Sequence, residues 1–232
     1  MAHTPATVAL CASLPRSAAP PSRRLGAAAR VPITVPITWI ADLHTLVAAA
    51  ANAAADSATE FAVAIDPAWL DSRQTLRESL GRARDAWPAL EAAVLRSTAL
   101  RHHDVVAEAG IRVVVTDVVD TTTTSRGSRR PAPPGWPCRN VAWGLWEVRL
   151  PTTACSPAWG WLPGLGSTPS ARRGSLQVLC AEADSPRLQG WHDWTARRGV
   201  RGDVSAVTLS GLRGLLEGDR RAALAGSVLR AA

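Results

Sequence analysis

Apolar runs alternate with helix-like segments along most of the chain, and this alternation predicts the fold class. The runs are short and rich in Val, Ile and Leu, as in strands that are covered on both faces. The segments between them are Ala-rich or amphipathic, which is typical of helices. Because strands that alternate with helices form parallel sheets, we predict an α/β protein. The predicted strands are 7–13, 33–39, 61–65, 90–95, 111–115, 140–150, 176–180 and 205–208.

Residues that favour helix ends support the predicted helices. Asp42 and Ser210 are candidate N-caps, since short polar side chains accept hydrogen bonds from the first free N–H groups of a helix. Gly110 suits the position that follows a last helical turn. The predicted helices are 22–29, 42–55, 67–86, 100–109, 186–198 and 210–229.

Two long connections interrupt the alternation. Segment 120–137 is polar, basic and Pro-rich, and segment 151–173 is rich in Gly, Pro and Trp. Irregular loops of this length are uncommon in compact domains and are usually functional or disordered. We predict one domain, residues 1–232, because seven or eight strands in a chain of this size suit a closed parallel β/α barrel. A doubly wound open sheet is the alternative, but the chain lacks the glycine motifs of its nucleotide-binding versions.

The charge balance says little about partners. The formal net charge is +7, and every basic residue is Arg because the chain contains no Lys. Such a composition, with 17 Gly, 17 Pro and many Ala, is typical of a GC-rich genome, in which Arg accumulates by codon bias. The Arg residues are dispersed and are not clustered with aromatics, so we do not expect nucleic-acid binding.

The spacing of the cysteines and the length of the apolar segments argue against zinc, disulfide-rich, secreted and membrane proteins. The four Cys residues lack the CxxC spacing of zinc sites, and in so long a chain they do not indicate a disulfide framework. The amino terminus lacks the basic region of a signal peptide, and no apolar stretch reaches the ~20 residues of a membrane span. We therefore expect a soluble cytoplasmic protein without a membrane partner.

Four segments resemble the polysaccharide deacetylase (NodB-homology) family. Segment 27–39 (AAARVPITVPITW) is similar to the family's second strand and the helix end before it. Segment 60–70 (EFAVAIDPAWL) is similar to the motif that carries two metal-binding histidines. Segment 103–117 is similar to a helix and strand of the family, and segment 188–216 to its closing elements. The match covers most of the chain as a pattern, and it implies a distorted barrel of seven or eight parallel strands.

The resemblance also implies a chemistry that this chain departs from. The family hydrolyses amides with a divalent ion held by one Asp and two His. An Asp pair is expected after the first strand, where segment 11–14 reads CASL. Asp66 and Leu70 stand where the two metal histidines are expected, and Cys180 stands near the expected acid histidine. A leucine cannot bind a metal, so we expect the barrel without the metal centre, and no other cofactor.

The candidate site lies at the carboxyl ends of the strands. Asp66, Arg96 and Asp117 are the candidate catalytic residues, and Arg96 partly matches an Arg motif of the family. Asp66 is either a remnant ligand or general base, or the N-cap of the helix that opens at Pro67, which is the favoured interpretation. Asp117 is either half of a paired acid site with Asp120 or a loop-opening residue, and the two interpretations are weighed evenly.

The candidate substrate-binding residues are Trp69 and Trp143, as sugar-stacking surfaces, and Glu147. The chain has ten Trp, one Phe and no Tyr, so the alternative is that Trp simply takes the role of the large aromatic residue. Trp69 is expected at the barrel mouth. Trp143 and Trp146 are expected on one strand with opposite orientations, and Glu147 on the Trp143 side. If that side is the interior, Glu147 is a buried acid that needs an Arg, for which Arg96 is the candidate.

The histidines at 102 and 103 form the densest titratable cluster together with Asp104. Adjacent helical residues point about 100° apart and rarely share one metal, so this cluster is expected to be a solvated or capping helix start.

Two functions follow from these patterns. The first is a divergent polysaccharide deacetylase-like protein, without the metal-dependent amide hydrolysis, that acts on or binds a carbohydrate. Any activity that it retains would be that of a hydrolase of carbon–nitrogen bonds other than peptide bonds. The second is a non-enzymatic interaction protein that contacts a partner through the Pro/Trp/Arg-rich loop 120–137. The patterns identify neither the ligand nor the partner.

Overall fold

The computed structural model describes residues 5–14, 35–52, 59–96, 99–116, 138–149, 169 and 174–228. Within these ranges the strands are β1 (Ala6–Ser13), β2 (Ile37–Ala41), β3 (Thr59–Ile65), β4 (Ala92–Leu95), β5 (Val113–Thr116), β6 (Cys138–Ala142), β7 (Leu145–Arg149), β8 (Leu176–Glu182) and β9 (Val204–Val207). The helices are α1 (Leu43–Asn52), a 3₁₀ turn (Pro67–Asp71), α2 (Arg73–Ala86), α3 (His103–Glu108), α4 (Pro186–Val200) and α5 (Leu209–Val228).

The strands form one sheet in the order β6-β7-β5-β4-β3-β2-β1-β8, and β9 joins it beside β1. All pairs are parallel except β6 with β7. The amino-terminal half of β1 pairs with β9 and its carboxyl half with β2, while β8 pairs along its whole length. The predicted α/β class is confirmed, and the sheet is a curled, largely parallel half-barrel.

The two faces of the sheet bury two different cores. Along β1, Leu10 and its alternate neighbours pack under α1 to α4, whereas Ala9 and Cys11 belong to the second core. This second core includes Leu212 and Leu216 of α5. Because strand side chains alternate between faces, both faces of β1 are apolar, which explains its continuous hydrophobic run.

Side chains of β2 and β3 fix the start of α5 on the second face. Leu209 N–H donates to Thr38 Oγ1 at 3.0 Å, and Ser210 N–H donates to Glu60 Oε1 at 3.1 Å. The Thr38 hydroxyl in turn donates to Glu60 at 2.9 Å, and the Ser210 hydroxyl also bonds that carboxylate. A carboxylate at a helix amino terminus satisfies free N–H groups and complements the helix dipole. Thus α5 begins at the amino-terminal ends of β2 and β3.

The segment 140–150 was predicted as one strand, and that prediction is wrong. It is split between β6 and β7, which form a hairpin with a two-residue turn at Trp143 and Gly144. Both residues have positive φ, 47° and 76°, as a type I′ turn requires. Trp-Gly lacks the Asn or Asp that usually marks a type I′ turn, so the apolar segment 140–150 contains no signal that predicts the turn.

The structure confirms some of the predicted helix-end residues and not others. Asp42 accepts from Thr45 N–H at 2.7 Å, so its predicted capping role is confirmed. Gly110 has φ 84° and follows α3, as predicted. Ser210 is not the N-cap of α5, because the helix begins one residue earlier and Thr208 Oγ1 accepts from Gly211 N–H at 3.2 Å.

The predicted helix 67–86 is divided. A 3₁₀ turn precedes α2, and Ser72 between them caps α2 by accepting from Gln74 N–H at 3.2 Å. The predicted helix 22–29 and the loop 120–137 lie outside the described residues, as does 151–173 apart from residue 169. In the described ranges, no helix combines the length and the apolarity needed to cross a bilayer.

Candidate functional site

A cleft of about 610 Å³ opens at the carboxyl ends of β2 and β3. This edge is where parallel α/β folds usually bind ligands, and the volume lies in the range of small-ligand sites. The walls come from the starts of α1 and the 3₁₀ turn. The lining residues are Asp42, Leu43, His44, Ala64, Ile65, Asp66, Pro67 and Trp69.

Asp66 caps the 3₁₀ turn, which confirms the favoured interpretation of the sequence. Its backbone is extended, with φ −71° and ψ 130°, and its Oδ1 accepts from Ala68 N–H at 3.0 Å. Its carbonyl accepts from Trp69 N–H at 2.9 Å. The residue is exposed, so the carboxylate faces the cleft while it holds the turn.

Asp42 occupies the corresponding place on the neighbouring strand. The pairing of Ala41 with Val63 puts β2 and β3 in register, and each strand is followed at once by an acid that caps a helical turn. The cleft therefore holds two carboxylates at one sheet edge. His44, in the first turn of α1, is exposed beside them.

Trp69 forms the aromatic wall of the cleft. It is half-buried and packs against the helix-covered core, so its ring is held by the protein. Leu70, the position at which the resemblance predicts a metal histidine, is 4% exposed and belongs to that core. A side chain at position 70 of this turn is thus directed into the core and away from the cleft.

Arg96 follows β4 and reaches across the second face of the sheet. Its Nη2 donates to Ser13 Oγ, at the end of β1, at 2.7 Å. No hydrogen bond joins it to Asp66 in the part of the chain that the structure describes. Asp117, the third member of the predicted catalytic group, lies outside the described residues, as does Asp120.

Glu147 is a buried acid, but Arg96 is not its partner. It lies on β7, is 4% exposed, and forms an ion pair with Arg139, which is its register partner on β6. The Thr116 hydroxyl donates to Glu147 Oε1 at 3.2 Å. The prediction of Arg96 as partner is wrong, because the hairpin supplies an Arg that the single-strand interpretation could not place.

Trp143 and Trp69 lie at opposite ends of the sheet. Because β7 runs parallel to β5, the turn before β7 is at the amino-terminal end, whereas the cleft is at the carboxyl end. Trp143 is 68% exposed in that turn. The structure therefore brings Asp66 and Trp69 together, and it places Trp143 and Glu147 elsewhere.

The histidine pair begins α3, as expected, but it is only partly solvated. His102 has a left-handed backbone, with φ 54°. His103 Nε2 is buried and has no hydrogen-bond partner in the described structure. Burial lowers the pKa of His103 below 6.5, and the nearby Glu147 opposes that shift. Within the described ranges no group of three or more His, Cys, Asp or Glu is arranged to hold a metal.

Comparison with protein-family models, curated proteins and solved structures finds no match to this chain. The function must therefore be argued from the cleft itself. The sequence predicts Asp66 and Trp69 as site residues and Asp42 only as a helix cap, and it assigns no role to His44. The available signal was that Asp42 and Asp66 each follow one of two consecutive predicted strands, whose carboxyl ends meet if they pair in parallel.

Proposed function

We propose that this protein binds a carbohydrate in the cleft at the ends of β2 and β3. The observation that carries the proposal is the half-buried Trp69 beside the carboxylates of Asp42 and Asp66. The face of an indole stacks on the apolar face of a sugar ring, and carboxylate oxygens accept hydrogen bonds from sugar hydroxyls. Neutral or amino sugars suit this cleft better than uronic acids, because an acidic sugar would face two like charges.

We further propose that the frame is of the polysaccharide deacetylase type. The support is the curled parallel sheet and the quoted sequence segments. Binding is favoured over metal-dependent hydrolysis, because Leu70 replaces a ligand and packs in the core. The alternative function, an interaction through loop 120–137, concerns residues outside the described ranges.

Calorimetric titration with neutral, amino and uronic oligosaccharides tests the proposal. We expect binding of a neutral or amino sugar, and we expect Trp69→Ala to weaken it at least about tenfold, the loss of one stacking contact. Trp143→Ala is the matched control, since it removes an exposed indole at the other end of the sheet. Equal losses from both variants, or no binding of any sugar, would refute the proposed site.

Metal analysis of the purified protein separates binding from hydrolysis. Stoichiometric zinc, cobalt or nickel would contradict the inferred loss of the metal centre. We expect Asp66→Ala to weaken sugar binding, and we expect both the wild type and this variant to be purified without stoichiometric metal.

A further inference from the structure

Two cysteines that are far apart in the sequence are neighbours on the second face of the sheet. Cys11 of β1 and Cys180 of β8 are register partners on adjacent parallel strands. Cys11 is completely buried, whereas Cys180 is partly exposed, and both pack with the core that contains Ala9. Neither residue forms a disulfide in this structure.

The geometry suits a covalent link. Neighbouring strands lie about 4.8 Å apart, which falls within the roughly 4.4–6.8 Å Cα separation of disulfides. In-register residues of parallel strands direct their side chains to the same face. The two thiols are hydrogen-bonded, and this bond together with burial raises the pKa of Cys11.

We propose that Cys11 and Cys180 form a dithiol site that exchanges with a low-molecular-weight disulfide such as glutathione disulfide. The Cys180 thiolate attacks one reagent sulfur, the reagent S–S bond breaks, and one glutathione thiolate leaves. Cys11 then loses its proton to solvent, and its sulfur attacks Cys180 sulfur and displaces the second glutathione. Two protein thiols are oxidised, and one glutathione disulfide is reduced to two thiols.

The order of the two steps follows from exposure. Cys180 can be reached by the reagent, whereas Cys11 is covered by the sheet and by α5. The hydrogen bond from Cys180 and burial raise the pKa of Cys11, so it stays protonated at neutral pH and the second step is slow there, because only the thiolate attacks a disulfide. The closing step is therefore expected to accelerate as the pH rises from about 7 to 9.

Peptide mass mapping of the full chain, treated with glutathione disulfide and kept non-reduced, tests the proposal. The expected product links the peptides of Cys11 and Cys180. Cys11→Ala is expected to stop at the mixed disulfide on Cys180. Cys138→Ala is the matched control, because it removes another buried thiol, whose pKa burial raises to about 12, and is expected to leave the link intact.

Several outcomes would overturn the proposal. One is a wild-type protein in which Cys180 carries glutathione while Cys11 stays reduced after hours at pH 9. Another is a link from Cys180 to a different cysteine. If Cys11→Ala does not fold, Cys180→Ser at the partly exposed position serves instead, and glutathione on Cys11 in that variant would contradict the order. Sugar binding plays no part in these readouts, so this proposal stands or falls separately from the proposed function.

Discussion

Arg96 donates a hydrogen bond to Ser13 although β2 and β3 lie between their strands. Following the register from Ser13 across those strands leads to Ala92, four residues before Arg96. Ser13 and Arg96 are offset by four residues in the strand register, yet their side chains meet at the strand ends. This offset requires strands that are tilted relative to the axis about which the sheet curls, as in barrels. Ala62 and Ala64 on the intervening β3 leave room for the Arg side chain to cross. This face is therefore the concave one.

The Arg96–Ser13 contact is expected to stabilise the curl modestly. A double-mutant cycle with Arg96→Ala and Ser13→Ala should give a coupling of about 0.5–1 kcal/mol, because the bond is charge-assisted but exposed to solvent. Urea unfolding measures it. Arg101→Ala, an exposed Arg before α3, is the control and should show no coupling with Ser13→Ala.

Two buried threonines should respond oppositely to the same substitution. Thr38→Val removes the donor to Glu60 and the acceptor for Leu209 N–H, so we expect a loss of about 1–3 kcal/mol. Thr45 Oγ1 is buried without a partner in the described structure, so Thr45→Val should be neutral or stabilising. Equilibrium urea unfolding distinguishes the two, and equal losses would argue against the anchoring of α5 by Thr38.

Asp66 has a structural role that can be separated from its role in the cleft. Asp66→Ala should cost about 1 kcal/mol of stability, because the bond from Ala68 N–H is lost. Asp66→Asn keeps an acceptor oxygen and should cost little, but it removes the charge. Thermal unfolding and sugar titration of both variants form the test. If the Asn variant binds sugar as the wild type does, the cleft uses an oxygen acceptor at this position and not a charge.

The hairpin turn carries backbone strain that can be relieved. Trp143 has φ 47°, a conformation that bulky side chains rarely adopt. Trp143→Asn creates the Asn-Gly pair that type I′ turns favour, so we expect stabilisation of about 1 kcal/mol. Trp143→Val should destabilise, since a β-branched residue tolerates positive φ worst. A stability order other than Asn, Trp, Val in urea unfolding would contradict the strain argument.

His103 should make stability depend on pH. Its folded-state pKa lies below the 6.5 of the unfolded chain, so the unfolded chain binds the proton more readily. Stability is then expected to fall as the pH drops from about 7 through 6.5 towards the folded-state pKa. His103→Leu should flatten this part of the profile, because it removes the group whose pKa burial lowers. Unfolding free energies measured across this range provide the check.

Some local signals could be read from the sequence, whereas contacts between distant residues could not. Asp42 and Asp66 could be predicted as caps, because a cap depends on the next three residues. The partner of Glu147 was missed, because it depends on a turn whose Trp-Gly sequence is unusual. The Cys11–Cys180 pair depends on strand order, which periodicity does not encode.

The pairing of β1 has a consequence for synthesis on the ribosome. This strand comes first along the chain, yet one of its edges is completed by β8 and half of the other by β9. These two strands are the last to leave the ribosome, so one edge of β1 and half of the other stay unpaired while more than 150 residues are translated. Pairings so distant in sequence also slow refolding. We infer that nascent chains which stall before residue 176 are the species most prone to aggregate.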